Sequence, residues 1–201
     1  QELETFAYAV SHDLRAPLRA MSGFSSALQE DHAASLPAEA KVYVEQIALA
    51  GRKMSDLVEG LLTLSRSTRG DLRMNRVDVS ALAKRHLAEL AAAEPARRVS
   101  FEVEPDLAVH GDERMISSVL DNLLDNAWKY TGATPQPRIR VHASEVEGQS
   151  GFSVSDNGAG FDMAHADQLF KPFQRLHRQD EFPGIGIGLT TAQRIVQRHG
   201  G

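Results

Sequence analysis

The chain has 201 residues, of which 42% are hydrophobic and 24% charged, and its 22 basic and 27 acidic residues give a net charge of -5. No run of about 18 apolar residues is present, which predicts no membrane span and no membrane contact, and no basic block favours nucleic-acid binding. Cysteine does not occur, which excludes disulfides and thiolate zinc sites and fits a cytoplasmic location.

The start of the sequence predicts a fragment of a longer protein. It opens with Gln1 rather than a methionine, and helical periodicity is already present at Leu3. We therefore expect an upstream sensor module in the full-length protein. The length also predicts a small domain followed by one of ordinary size.

Two long helices come first in the prediction. Apolar or small residues recur at alternating spacings of four and three, which keeps one seam on one face of each helix. These residues are Leu3, Ala7, Val10, Leu14, Pro17, Met21, Phe24 and Leu28, then Tyr43, Ile47, Ala50, Met54, Leu57, Leu61 and Leu64. Ser35 and Pro37 suit a helix start between them. An antiparallel hairpin leaves such a seam open, so two copies are expected to close it into a four-helix bundle.

A histidine–aspartate pair lies on the first helix. His12 falls midway between the seam residues Val10 and Leu14, so its imidazole is predicted to face water and to be available for reaction. Asp13 can hydrogen-bond one ring nitrogen, act as general base, and leave the other nitrogen free to attack phosphorus. Pro17 is expected to bend or loosen the helix nearby. Surface histidines are common, however, and most have no such role.

The polar segment 67–71 predicts a linker, and we place the boundary so that residues 1–72 and 73–201 form two domains. Beyond it the pattern predicts strands near 76–80, 99–104, 138–144 and 152–156. Helices are predicted near 81–93 and 113–130, and another begins at Gly188. The second domain is thus expected to be an α+β layer, a sheet with helices on one face.

A polar stripe marks the helix predicted at 113–130. Asn122 and Asn126 lie four residues apart on one face, with Lys129 beside them. Such stripes are usually solvated helix faces. Carboxamides are unusual there, however, because they offer neutral oxygens to Mg²⁺ while the lysine offers positive charge to phosphate.

A D-x-G-x-G stretch, Asp156 to Gly160, follows the last predicted strand. Its two glycines, Gly158 and Gly160, could simply make a tight loop. A carboxylate at the end of a strand can also accept a hydrogen bond from an exocyclic amine such as the adenine N6 group.

A glycine run with Gly184, Gly186 and Gly188 opens the last predicted helix. Free backbone N–H groups and the helix dipole favour phosphate at such a position. The run lacks the Lys-Ser or Lys-Thr pair of a P-loop. Phe170 and Phe173, which precede it, are interpreted as core residues by their type.

The stretch Ser11-His12-Asp13-Leu14-Arg15-Ala16-Pro17-Leu18 resembles the phosphoacceptor box of sensor histidine kinases. The stretches around Asn126, Asp156 and Gly186 follow in the order of that family's nucleotide-binding boxes. The resemblance implies a dimerisation and histidine-phosphotransfer hairpin, followed by an α/β-sandwich ATP-binding domain. The motif most resembles kinases attached to phytochrome-type or PAS sensors.

The same resemblance implies roles for single residues. It makes His12 the residue phosphorylated from ATP, Asn126 the Mg²⁺ ligand and Asp156 the residue that reads adenine. Arg175 matches an arginine that approaches the γ-phosphate. The other implied nucleotide-binding positions are Asn122, Lys129, Tyr130, Gly158, Gly160, Phe170, Phe173, Gly184, Gly186, Gly188 and Leu189, with the two phenylalanines as anchors of an ATP lid.

The implied partners are a second copy of the chain and a response-regulator receiver domain. Many members that also dephosphorylate their regulator carry Thr or Asn four residues after the histidine. Ala16 stands there in this chain, so strong phosphatase activity is not expected. Family members continue past the position of Gly201 with a closing pair of strands, which we expect this chain to lack.

Two alternatives remain open. One is a non-enzymatic dimeric scaffold with a vestigial nucleotide site. The other is an ATPase or serine kinase that uses the same nucleotide fold. The sequence also leaves open whether each His12 would be served by the ATP site of its own subunit or of its partner.

Overall fold

A computed structural model describes residues 2–66, 71–146, 148–178, 181–182 and 184–201, without the side chains of residues 2–12, 59 and 63–66. The chain divides into two compact units, Gln1–Arg66 and Ser67–Gly201. Within these described ranges, no helix is both long and apolar enough to cross a membrane. The finer boundary between residues 72 and 73 stays a prediction.

The first unit is an antiparallel pair of helices, α1 (Glu2–His32) and α2 (Ala38–Arg66). Helix α1 continues through Pro17, which lies inside it. Ser35 completes the end of α1, because its hydroxyl donates a hydrogen bond to the carbonyl of His32 at 2.9 Å. Helix α2 begins after Pro37, whose carbonyl accepts a hydrogen bond from the Lys41 N–H at 3.1 Å.

The two helices bury one narrow apolar face against each other and leave a second one open. The buried side chains are Leu18, Val44, Ala48, Val58 and Leu62. By contrast, the seam residues Leu14, Met21, Phe24, Leu28, Tyr43, Ile47 and Met54 are at least 40% exposed, and Phe24 reaches 73%. Leu57 and Leu61, further along the seam of α2, are half-buried. The open seam predicted from the spacing is therefore present in the single chain.

In its described residues, the second unit combines two small sheets with three α-helices. Its elements are β1 (Met74–Asp78), α3 (Val79–Ala93), β2 (Ser100–Val103), β3 (Ala108–Asp112), α4 (Glu113–Tyr130), β4 (Arg138–Val146), β5 (Gln149–Asp156), a short 3-10 helix (Met163–Gln168) and α5 (Gly188–Arg198). Strands β1 and β3 pair antiparallel. In the other sheet, of order β2-β4-β5, β4 runs parallel to β2 and antiparallel to β5.

The core of this unit lies between α3, α4 and the strands. Leu87 of α3, Leu120 and Leu124 of α4, and Val141 of β4 are completely buried in one cluster. A second cluster joins α4 to α5 through Val119 and other buried residues. The apolar stripe of α4 therefore faces the core, which leaves its polar stripe on another side.

Two aspartates at the ends of strands act as N-caps of the helices that follow. The Asp78 side chain accepts the Ala81 N–H at 2.9 Å, and the Asp112 side chain accepts the Met115 N–H at 3.2 Å. These caps satisfy N–H groups that have no partner within the helix. The strand predicted near 76–80 is therefore wrong at its end, because the chain is already helical after Asp78.

Strand β3 was missed by the sequence analysis. Its residues Ala108–Asp112 include a glycine and a histidine and show no clear alternation. It forms because β1 supplies a partner, with Val77 opposite Val109 in the register. Pairing with β1, rather than a local sequence pattern, therefore makes this segment a strand.

Candidate functional site

The polar stripe of α4 begins with a contact to α5. The Asn122 amide donates a hydrogen bond to the Ser118 carbonyl at 2.7 Å. Its Oδ1 lies so close to Gly188 that a Cβ atom on that residue would come within 2.5 Å of it. Asn122 and Gly188 are thus packed together, and a side chain at position 188 would force the Asn122 amide to move.

Asn126 and Lys129 form a hydrogen-bonded pair one turn further along α4. The Lys129 ammonium donates to the Asn126 Oδ1 at 3.0 Å. The same ammonium lies 4.3 Å from the centroid of the Tyr130 ring. The predicted nucleotide-facing residues Asn126, Lys129 and Tyr130 are therefore gathered at the C-terminal end of α4.

The electrostatic setting of Lys129 favours an anion. Burial lowers the pKa of the Lys129 ammonium, and the nearby Arg175 guanidinium lowers it further, partly offset by Asp125. Burial raises the pKa of Tyr130, while Arg175 acts in the opposite direction. Two cations that disfavour each other's charge are both stabilised when a phosphate lies between them.

The D-x-G-x-G turn is attached to the same end of α4. Asp156 Oδ1 accepts the Gly158 N–H at 2.8 Å, and the Ala159 N–H donates to the Tyr130 carbonyl at 3.0 Å. A Cβ atom on Gly158 would lie 2.5 Å from that carbonyl oxygen. Glycine is therefore needed here for close packing, and the turn brings the exposed Asp156 side chain beside Tyr130.

The segment 169–187, which we call the lid segment, supplies the remaining predicted residues. The prediction that Phe170 and Phe173 are core residues is wrong, since they are 42% and 46% exposed. The segment is held by other groups: the Phe173 N–H donates to the Gly186 carbonyl at 2.9 Å, and the Thr190 hydroxyl donates to the Phe170 carbonyl at 3.0 Å. Hydrogen bonds to main-chain carbonyls thus hold the segment here, and the two rings stay exposed.

The glycines of the lid segment lead into α5. Gly186 has a φ of +78°, and a Cβ atom there would lie 2.5 Å from the Gln174 carbonyl oxygen, while Gly184 lies next to the Lys129 ammonium. Helix α5 then starts at Gly188 and Leu189 without a side-chain cap. The N–H groups of its first turn are therefore available to an anion.

Arg175 makes its hydrogen bonds inside the lid segment. Its guanidinium donates to the carbonyl of Phe182 and, at 3.4 Å, to that of Arg178. Arg175 is close enough to lower the pKa of Lys129. The arginine thus lies near the lysine, and its role at a phosphate stays a prediction.

Two lid residues, His177 and Phe182, were not assigned to the site by the sequence analysis. The ring centroids of Tyr130, His177 and Phe182 lie 5.0–5.2 Å from one another. His177 Nε2 is also 2.8 Å from the Gly160 carbonyl oxygen. The one available signal was the presence of aromatic rings within a polar, glycine-containing loop.

The predicted phosphoacceptor lies in the other unit. Residue 12 belongs to α1, but its side chain and that of Val10 lie outside the described residues. The next residue, Asp13, is exposed, and Leu14 is 43% exposed. The outward orientation of His12 stays a prediction.

Comparison with protein families separates the same two regions. Residues 2–70 match the family model of the His Kinase A (phospho-acceptor) domain. Residues 111–201 match the family described as Histidine kinase-, DNA gyrase B-, and HSP90-like ATPase. The chain is a sensor histidine kinase core. These matches confirm the predicted family and the predicted order of a helical hairpin followed by an α/β ATPase domain.

Relatives of this histidine kinase core include a cyanobacterial phytochrome and an adaptive-response sensory kinase. Cyanobacterial phytochrome B from Nostoc sp. is 34% identical over 100% of this chain and 27% of its own length. The adaptive-response sensory kinase SasA from Synechococcus sp. is 34% identical over 94% of this chain and 52% of its own length. The chain therefore spans about a quarter to a half of these relatives.

A solved structure shares the fold along nearly the whole chain. Full-length ShkA in complex with AMPPNP has a TM-score of 0.64 and 27% identity over 98% of this chain and 41% of ShkA. The fold likeness to ShkA therefore extends over both regions of this chain. The roles of its individual residues are proposals.

Proposed function

We propose that this kinase core transfers the γ-phosphoryl group of ATP to His12 and then to an aspartate of a response regulator. The observation that carries the proposal is the gathering of Asn126, Lys129, Tyr130 and the Asp156 turn at one end of α4. That site lies in the same chain as the phospho-acceptor match around His12. The predicted cytoplasmic location fits a reaction that consumes ATP.

The nucleotide would bind with its base near Asp156 and its phosphates near Lys129. One oxygen of Asp156 holds the Gly158 N–H, and the other is proposed to accept the adenine amino group. Lys129, Arg175 and the first turn of α5 would share the phosphate charge. This charge pairing would restore the pKa of Lys129 toward its ordinary value.

The residues present also fit Mg²⁺. The Asn126 carboxamide oxygen is already turned toward a cation, the Lys129 ammonium at 3.0 Å. Neutral carboxamide oxygens are accepted Mg²⁺ ligands, and a bound Mg²⁺ would neutralise charge on the phosphates. Asn126 would hold the metal once Lys129 turns to phosphate.

The chemistry at His12 is proposed to be an in-line displacement. One imidazole nitrogen forms a bond to the γ-phosphorus, the bond between that phosphorus and the bridging oxygen breaks, and ADP leaves. Asp13 would hold the ring tautomer and accept the ring proton. Most of the catalysis would come from positioning and charge neutralisation.

In a homodimer, a second copy of the hairpin would cover the open apolar seam. The seam residues Met21, Phe24, Ile47 and Met54 are between 41% and 73% exposed. Apolar side chains that recur at four-and-three spacing are buried when a second hairpin packs on them. The receiver domain of the regulator is proposed to bind the outer surface of this bundle, and weak phosphatase activity is expected with Ala16.

The test uses ATP labelled in the γ-phosphate and the whole chain. We expect label that is lost in acid and kept in base, the behaviour of phosphohistidine. His12→Gln should abolish labelling while nucleotide binding persists. His32→Gln, at the exposed end of the same helix, is the matched control and should label normally.

Two results would favour the alternatives. Absence of label together with absence of nucleotide binding would indicate a dimeric scaffold. Continued labelling of the His12→Gln chain would indicate a kinase that modifies another residue.

A further inference from the structure

The D-x-G-x-G turn is held on two sides, and the second side is not part of the family motif. On the first side the Ala159 N–H bonds to the Tyr130 carbonyl at the end of α4. On the second side the Gly160 carbonyl oxygen lies 2.8 Å from Nε2 of His177, seventeen residues later in the lid segment. The turn therefore has a fixed position relative to both α4 and the lid segment.

The chemistry of this contact settles which atom donates. A carbonyl oxygen only accepts hydrogen bonds, so the hydrogen must lie on His177 Nε2. This condition is met by the neutral Nε2–H tautomer and by the protonated imidazole alike. The bond is thus compatible with either charge state of the ring.

The imidazole of His177 also takes part in ring packing. Its centroid lies 5.2 Å from that of Tyr130 and 5.1 Å from that of Phe182, and the last pair packs edge to face. Aromatic pairs at these separations attract each other beyond simple area burial. One side chain therefore joins the lid segment to the carbonyl of Gly160 and to the ring of Tyr130.

We propose that His177 is a positioning residue for the adenine base. By holding the Gly160 carbonyl and the Tyr130 ring at a set separation, it places the Asp156 carboxylate where it can accept the amino group of a planar base. The contacts described for His177 are with the Gly160 carbonyl and with the rings of Tyr130 and Phe182. Its loss should weaken nucleotide binding and leave the rate of the chemical step unchanged. This inference rests on the proposed function.

Three substitutions separate the two contacts of His177. His177→Gln keeps an N–H donor on a side chain of similar length, His177→Phe keeps a ring without a donor, and His177→Ala keeps neither. Binding of AMPPNP is measured by calorimetry, and KM and kcat for ATP are measured by labelling of the whole chain. Unfolding followed by Trp128 fluorescence checks that each variant is folded, since this is the one tryptophan of the sequence.

We expect the Phe variant to raise both Kd and KM roughly three- to tenfold, the size of one hydrogen bond. The Ala variant should bind the nucleotide more weakly than the Phe variant, and the Gln variant should recover most of the affinity. The value of kcat should stay within about twofold of the original in all three variants. This pattern would not result from general loss of stability, which Gln would not rescue.

Two outcomes would overturn the inference. One is a Phe variant that binds AMPPNP as tightly as the original chain. The other is a fall in kcat at unchanged KM. If the original chain itself neither bound AMPPNP nor became labelled, the proposed function would fail instead, so the two failures are distinguishable.

Discussion

The hairpin and the nucleotide-binding unit differ in how they bury apolar surface. In the second unit, Leu87, Leu120, Leu124 and Val141 are completely enclosed by elements of the same chain. In the described part of the hairpin, only one narrow face is closed, and Phe24 remains 73% exposed. A unit with a closed core is stable at any concentration, whereas a unit with an open seam depends on a second copy.

The largest effect is expected in the closed core. Leu120→Ala removes a side chain that has no exposure and lies where α4 meets the strands. The cavity should lower the free energy of unfolding of the second unit by about 2–5 kcal/mol. Urea unfolding followed by Trp128 fluorescence measures it, because Trp128 belongs to the same cluster. A loss below about 1 kcal/mol would show that this core is not tightly packed.

A seam substitution should affect the other unit alone. Phe24→Ser removes the most exposed seam ring and should raise the dissociation constant of the dimer by at least about tenfold. Sedimentation over a range of concentrations measures the change, while the unfolding of the second unit seen by Trp128 should not move. Ala27→Ser, at an exposed neighbouring position of α1, is the control. An unchanged dimer would place the interface elsewhere.

The smallest predicted change in the free energy of unfolding concerns the start of α4 and depends on pH. The hydrogen bond from the Arg73 N–H, with help from the Met115 N–H, holds the pKa of Asp112 below its ordinary value of 3.8 despite burial of the group. The carboxylate therefore contributes stability above that value and loses the contribution as the pH falls through its folded pKa. Asp112→Ala should cost about 1 kcal/mol at neutral pH.

The loss of stability caused by Asp112→Ala should shrink as the solution becomes more acidic than pH 3.8. Urea unfolding at several pH values measures it, with Glu113→Gln at the exposed next residue as the control for charge. A cost that is the same at all pH values would mean that the charge of Asp112 does not matter.

The parts predicted well from the sequence are those with a strong local signal. Helix α4 has the predicted bounds because an aspartate cap precedes a regular apolar stripe. The gathering of Asn126, Lys129 and the Asp156 turn could be anticipated only through the family resemblance, since they are some 30 residues apart. Strand β3 lacked a pattern of its own and depended on β1.

The lid segment shows where sequence reasoning fails. Phe170 and Phe173 were interpreted as core residues from their type, yet hydrogen bonds to and from their main-chain groups hold this segment and the rings stay exposed. His177 was missed because its partners, Gly160 and Tyr130, are remote in sequence. Contacts of this kind depend on the tertiary arrangement of loops, and neither the periodicity nor the composition of the sequence predicts that arrangement.

The most direct test of the account is to locate the phosphoryl group after the purified chain is incubated with ATP and Mg²⁺. Peptide mass spectrometry at neutral pH, which preserves phosphohistidine, would identify the modified residue in the original chain and in an Asp156→Asn variant. We expect the group on His12 in the original chain and a strong loss of modification in the variant. Modification of a serine or threonine, or equal modification of His12 without Asp156, would contradict the account.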